Sequence, residues 1–222
     1  EASNFKTYGW ITGVSIVDIN ADGLVDIYLN VGGSQCNNDC NNLLFINNGL
    51  QENKIPRFTE EASAYGLDDG NYSQQTVFFD YDLDGDLDAY IVHNGNTNRD
   101  RNIPLPKKYF PKHLGDYLLE NKTKQKSDQV YFTKVSDSLG ITHKGFGLGN
   151  TVNDLNNDHF PDIYISNDFI TNDLIYLNQG LNENGNTKGY KEVNQQILSK
   201  QTYNAMGVDI ADINNDQFPD IV

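Results

Sequence analysis

Four stretches of the 222-residue chain repeat one pattern of apolar and polar positions. Each runs from strand-forming residues through a dense acidic turn and straight back into β-branched and aromatic residues. They read "GVSIVDINADGLVDIYLN" from Gly13, "TVFFDYDLDGDLDAYIV" from Thr76, "GNTVNDLNNDHFPDIYIS" from Gly149 and "GVDIADINNDQFPDIV" from Gly207. Short runs of this composition on either side of a turn predict paired strands. The leading aspartates Asp18, Asp80, Asp154 and Asp212 stand 62, 74 and 58 residues apart, a period that points to a propeller or similar array.

Further elements recur behind each turn. "NNLLFINNG", "GDYLLENKT" and "NDLIYLNQG" read as a third strand, and "RFTEEASAYGL", "YFTKVSDSLGI" and "YKEVNQQIL" as a fourth that runs into a short helical turn. The expected fold class is therefore all-β, a β-propeller of four-stranded antiparallel blades with the acidic turn between strands 1 and 2. The units fall at about 10–70, 71–141, 145–198 and 203–222, and an insertion at 94–116 interrupts the second. About three and a half blades are present, which leaves strand edges unpaired, so the expectation is part of a larger propeller.

Composition agrees with a turn-rich β-protein: nineteen Gly, thirteen Tyr and eleven Phe. The net charge of −15 argues against nucleic acid as a partner and for cations. No stretch approaches the ~20 apolar residues of a membrane helix, and "EASNFKTYGW" lacks the basic start and apolar run of a signal peptide. Cys36 and Cys40 in "GSQCNNDCNN" predict a local disulfide and an oxidising compartment, two free thiols being the alternative.

Within the turns the spacing is D-x-[D/N]-x-D-x-x-x-D. Oxygens at positions 1, 3 and 5, a backbone carbonyl at 7 and a carboxylate at 9 can wrap a hard cation that needs six to eight oxygens, which makes Ca²⁺ the expected ligand. A helical calcium hand would place Glu at position 12, yet that position holds Leu29, Ile91 or Ile165 inside a strand.

These turns, the "GFGLG" at Gly145 to Gly149, and the "NNLLFINNG" and "FTEEASAYGL" segments resemble the FG-GAP or VCBS repeats of bacterial extracellular proteins, whose calcium loop also occurs in integrin α-chain propellers. The resemblance implies Asp18, Asn20, Asp22, the carbonyl of Leu24 and Asp26 as ligands in the first turn. It implies Asp80, Asp82, Asp84, the carbonyl of Asp86 and Asp88 in the second. The third set is Asp154, Asn156, Asp158, the carbonyl of Phe160 and Asp162, and the fourth is Asp212, Asn214, Asp216, the carbonyl of Phe218 and Asp220. Position 6 is Gly23 and Gly85 in two turns but His159 and Gln217 in the others, where a left-handed backbone would cost a non-glycine residue roughly 1 kcal/mol.

The resemblance also implies a secreted or surface protein, with a protein or polysaccharide and the remaining blades as partners and a bacterial outer-membrane assembly as one setting. The expected role is a calcium-binding, non-enzymatic interaction module. The alternative is the propeller domain of a polysaccharide lyase or hydrolase, which needs a polar pocket of titratable groups near the axis. No catalytic constellation stands apart from the acidic turns, and His93 ends a strand where Val31 and Asn167 stand in other units. The recurrent Tyr28, Tyr90 and Tyr164 read as a packing layer rather than a sugar platform. "NYS" at Asn71 and "NKT" at Asn121 match the glycan-acceptor pattern. The insertion is basic and aromatic between Arg99 and His113. It reads as packing over its own propeller, with partner binding as the alternative.

Overall fold

The computed structural model describes residues 9–32, 41–94, 115–123, 130–142, 144–169, 171–198, 200–201 and 204–222. Cys36, Cys40, His113, His143 and most of the 94–116 insertion lie outside the described residues, and with them the disulfide expectation.

The described chain is all-β apart from short helical turns. The first sheet is β1 (Trp10–Val17), β2 (Asp26–Gly32), β3 (Leu43–Leu50) and β4 (Pro56–Glu60), closed by α1 (Ala62–Tyr65). The second is β5 (Ser73–Phe79), β6 (Asp88–His93), β7 (Tyr117–Asn121) and β8 (Phe132–Lys134). The third is β9 (Gly147–Asn153), β10 (Asp162–Asn167), β11 (Leu174–Asn178) and β12 (Tyr190–Glu192), followed by α2 (Asn194–Ile197). A two-stranded sheet of β13 (Ile210–Ala211) and β14 (Asp220–Ile221) comes last. Each complete sheet is an antiparallel meander in chain order, consistent with propeller blades, and the described sheets do not close into a barrel.

Consecutive sheets pack through their first strands, β1 against β5, β5 against β9 and β9 against β13. Three apolar clusters fill the gaps. One joins Tyr28, Leu44 and Leu67 of the first unit to Ala89, Ile91 and Phe132 of the second. Another joins Tyr90, Val92 and Leu118 to Ile163, Ile165 and Tyr176, and a third joins Tyr164 and Ile175 to Ile210. The core thus lies between sheets, where burial of apolar area gives the stack its cohesion.

Small and polar side chains allow the first strands to approach closely. A Cβ on Gly13 would stand 2.4 Å from the Gln74 carbonyl oxygen of β5, and one on Gly147 of β9 would stand 2.3 Å from Val92 Cγ1 on β6. Ser15 Oγ donates to the Thr76 carbonyl at 2.7 Å, and Thr12 Oγ1 to the Ser73 carbonyl at 2.7 Å. Hydrogen bonds to neighbouring backbone satisfy polar groups that this approach removes from water.

Tyr28, Tyr90 and Tyr164 are buried, as a packing layer requires, and each is clamped by the residue just before strand 3. Asp116 accepts the Tyr90 hydroxyl at 3.0 Å and the His93 amide at 2.9 Å, and Asp173 accepts the Tyr164 hydroxyl at 2.9 Å and the Asn167 amide at 2.8 Å. Asn42 fills this place in the first unit, accepting from the Val31 amide and donating to the Tyr28 hydroxyl, both at 2.8 Å.

Candidate metal centre

All four acidic turns adopt one hydrogen-bonded loop. The carboxylate at position 1 accepts the backbone amides of positions 5 and 6. In the second turn Asp84 N reaches Asp80 Oδ1 at 3.0 Å and Gly85 N reaches Asp80 Oδ2 at 2.9 Å. The carboxylate at position 5 then accepts the amide of position 7, Asp86 N to Asp84 Oδ1 at 3.0 Å. Corresponding bonds hold Asp18, Asp154 and Asp212. Backbone donors converging on acidic oxygens fix the loop.

This curvature demands left-handed backbone at two positions. Position 6 is left-handed at Gly23 and Gly85, and also at His159 (φ 70°) and Gln217 (φ 72°). The two turns without glycine therefore keep the conformation and carry its strain. Position 4 is left-handed as well, at Ala21, Leu83, Asn157 and Asn215. The sequence pattern did not signal this, because only the two asparagines there are residues that favour such backbone.

The carboxylate at position 9 links the turn to its sheet. Asp26, Asp88 and Asp162 are buried, and each accepts the amide of position 2 through Oδ2. Through Oδ1 each accepts the amide of an asparagine on strand 3, Asn47 within β3, Asn121 at the end of β7 or Asn178 at the end of β11, at 2.8 Å. Sequence reasoning passed over these asparagines although "FIN", "LEN" and "YLN" repeat in register. Each also bends the chain through an Asx turn, with Oδ1 accepting the amide two residues on.

The four turns differ at position 3. In the first, third and fourth, an asparagine donates Nδ2 to the position-5 carboxylate, at 3.0 Å from Asn20 and 2.9 Å from Asn156. The second has Asp82, and oxygens of Asp80, Asp82 and Asp88 lie within 4.8 Å of one another. Asp82 Oδ1 is buried with no hydrogen-bond partner among the described residues, and an acidic oxygen so placed suits a cation ligand. Burial, with Asp82 and Asp86 nearby, pushes Asp88 up to about 8, and burial pushes Asp162 up to about 6. Burial and the neighbouring Asp84 likewise raise Asp82. A cation would relieve both the desolvation and the mutual repulsion, so the second turn fits a hard divalent ion. Asp80, Asp82, Asp84 and Asp88 would hold it with the Asp86 carbonyl.

The described histidines and both glycan-pattern asparagines stand near acidic or backbone partners. His93 is fully buried with Nε2 2.6 Å from Asp69 Oδ2 and its ring edge-on to Tyr117. The His159 ring is exposed, 4.0 Å from Asp154 Oδ2. The acceptor asparagines of both glycan triplets are engaged, Asn71 with Asp69 and Tyr117 and Asn121 with the Leu87 carbonyl. The insertion's ends pair with the segment before β9, Asn94 with Phe146 and Gly115 with Lys144.

Serial four-stranded meanders whose first connection is an acidic turn define a repeat protein of the blade-forming kind. Residues 154–222, which cover the third acidic turn through the fourth, match the family model of the FG-GAP-like repeat. That match agrees with the FG-GAP and VCBS resemblance in the sequence. Among curated proteins no match was found.

Proposed function

We propose that this chain is a calcium-stiffened, non-enzymatic interaction module of a secreted or surface-exposed protein. Its role is to present the loops of a larger propeller to a protein or polysaccharide. The observation that carries the calcium reading is the second turn, where three carboxylates converge around a buried, unpartnered Asp82 oxygen. The same loop recurs at Asp18, Asp154 and Asp212, so the reading extends to four sites of unequal strength. At His93 the non-enzymatic reading rests on full burial and on the pairing of Nε2 with Asp69.

Register supports the larger propeller. Phe78, Val152 and Ile210 each stand two residues before a leading aspartate and pack into the preceding sheet. Ile16 holds the same position on β1 and is 60% exposed, beside the exposed Trp10 and Val14. An apolar strand face of this kind is the surface on which another blade would sit.

The test is a thermal melt in excess chelator and across a Ca²⁺ titration, with Mg²⁺ as control. Metal that binds only the folded chain raises the midpoint as its concentration passes the dissociation constant. A rise of many degrees with Ca²⁺ and little with Mg²⁺ supports the reading. An unchanged midpoint, with no metal in the protein as purified, sinks it.

A further inference from the structure

The second and third turns are joined by a hydrogen-bonded relay that crosses the gap between their sheets. Asp88 Oδ2 accepts the Tyr81 amide at 3.1 Å. The Tyr81 carbonyl accepts Asn178 Nδ2 from β11 of the next sheet at 2.9 Å. The Asn178 amide in turn donates to Asp162 Oδ1 at 2.8 Å. The closing carboxylates of the two turns are thus separated by two residues, both held by the bonds that orient those carboxylates.

Packing reinforces the relay. Tyr81, at position 2 of the second turn, is 2% exposed and lies in the cluster that includes Ile163, Tyr176 and Tyr190 of the third unit. The Tyr190 hydroxyl donates to the Pro161 carbonyl at 3.2 Å, inside the third turn. Between the first and second turns the corresponding amide does not cross, because Asn121 Nδ2 reaches the Leu87 carbonyl of its own unit.

We propose that the second and third acidic turns bind metal cooperatively, with Tyr81 and Asn178 as the positioning residues that couple them. The inference rests on the calcium reading above. Metal in the second turn holds Asp88, and through it the Tyr81 peptide. That peptide presents its carbonyl to Asn178 in the geometry that also places the Asn178 amide on Asp162. The third turn is then ordered before its own ion arrives, and an ion that meets an ordered site binds more tightly. Thermodynamic linkage makes the effect reciprocal.

Hydrogen exchange read by mass spectrometry across a Ca²⁺ titration of the whole chain tests this, because each turn reports on its own peptide. The third turn's midpoint comes from the amides of Asp158, His159 and Phe160, which bond within it. Disabling the second turn with Asp80→Asn and Asp82→Asn should move that midpoint to Ca²⁺ concentrations at least about fivefold higher, the lower end of ordinary coupling. Disabling the first turn with Asp18→Asn and Asp22→Asn should leave it unchanged. In an Asn178→Ala background, whose own third-turn midpoint is measured first, disabling the second turn should no longer move that midpoint. An identical midpoint with and without the second turn overturns the coupling and leaves the calcium reading intact. Absence of Ca²⁺-dependent protection at either turn up to millimolar concentrations overturns both. Should Asn178→Ala fail to fold, the contrast between disabling the first and second turns decides the matter.

Discussion

Asp116 shows how one atom's surroundings set a measurable property of the fold. Burial pushes its carboxyl up to about 6, with the Tyr90 hydroxyl and His93 amide as its hydrogen-bond donors. The folded state therefore holds a proton at pH values where the unfolded chain has lost it. Stability falls as pH rises from about 4 to about 6, and the loss is complete above that window. Asn42 performs the same clamp without charge in the first unit. Asp116→Asn should accordingly be more stable than the parent at pH 7 by about 1–2 kcal/mol, with the difference closing near pH 4. Denaturant unfolding of both proteins at the two pH values measures it. That carboxylate was visible in "GDYLLEN", but its burial depends on Tyr90 and His93 from another strand.

The acidic turn is the element that sequence describes best. Its aspartate spacing, its place between strands and the strain at position 6 all followed from residue order. The strain has a consequence: His159→Gly should stabilise the chain by about 0.5–1 kcal/mol, whereas Gly85→Ala, at φ 93°, should cost about 1 kcal/mol. Thermal melts of the two variants in chelator separate this backbone effect from metal binding. What the spacing did not reveal is the support beneath the turn. The asparagines Asn47, Asn121 and Asn178 on β3, β7 and β11 lie 16 to 33 positions from the aspartates they hold, Asp26, Asp88 and Asp162. Only pairing of strands 2 and 3 brings them together.

Across the molecule, stability resides between sheets rather than within them. The same register position therefore has different worth along the stack. Phe78→Ala, which opens the first gap beside Tyr28, should cost about 3 kcal/mol. Ile16→Ala, on the uncovered face of β1, should cost about 0.5 kcal/mol or less. Chemical denaturation of both variants checks the contrast. Equal losses would show that something covers β1 in solution. The net charge of −15 acts at this level too, since cations in the acidic turns would lower self-repulsion as well as fill local sites.

Residue order alone specified the β class, the four-strand unit, the positions of the acidic turns and the packing layer of Tyr28, Tyr90 and Tyr164. These are local properties, written by alternation, turn residues and a repeat that returns four times. The depth of burial of Asp88, the clamp on each tyrosine, the engaged glycan-pattern asparagines and the Tyr81–Asn178 relay came from the assembled sheets. Each depends on groups brought together by strand pairing or by the packing of one unit on the next. Desolvation and hydrogen bonding act over a few ångströms of space, whatever the separation along the chain.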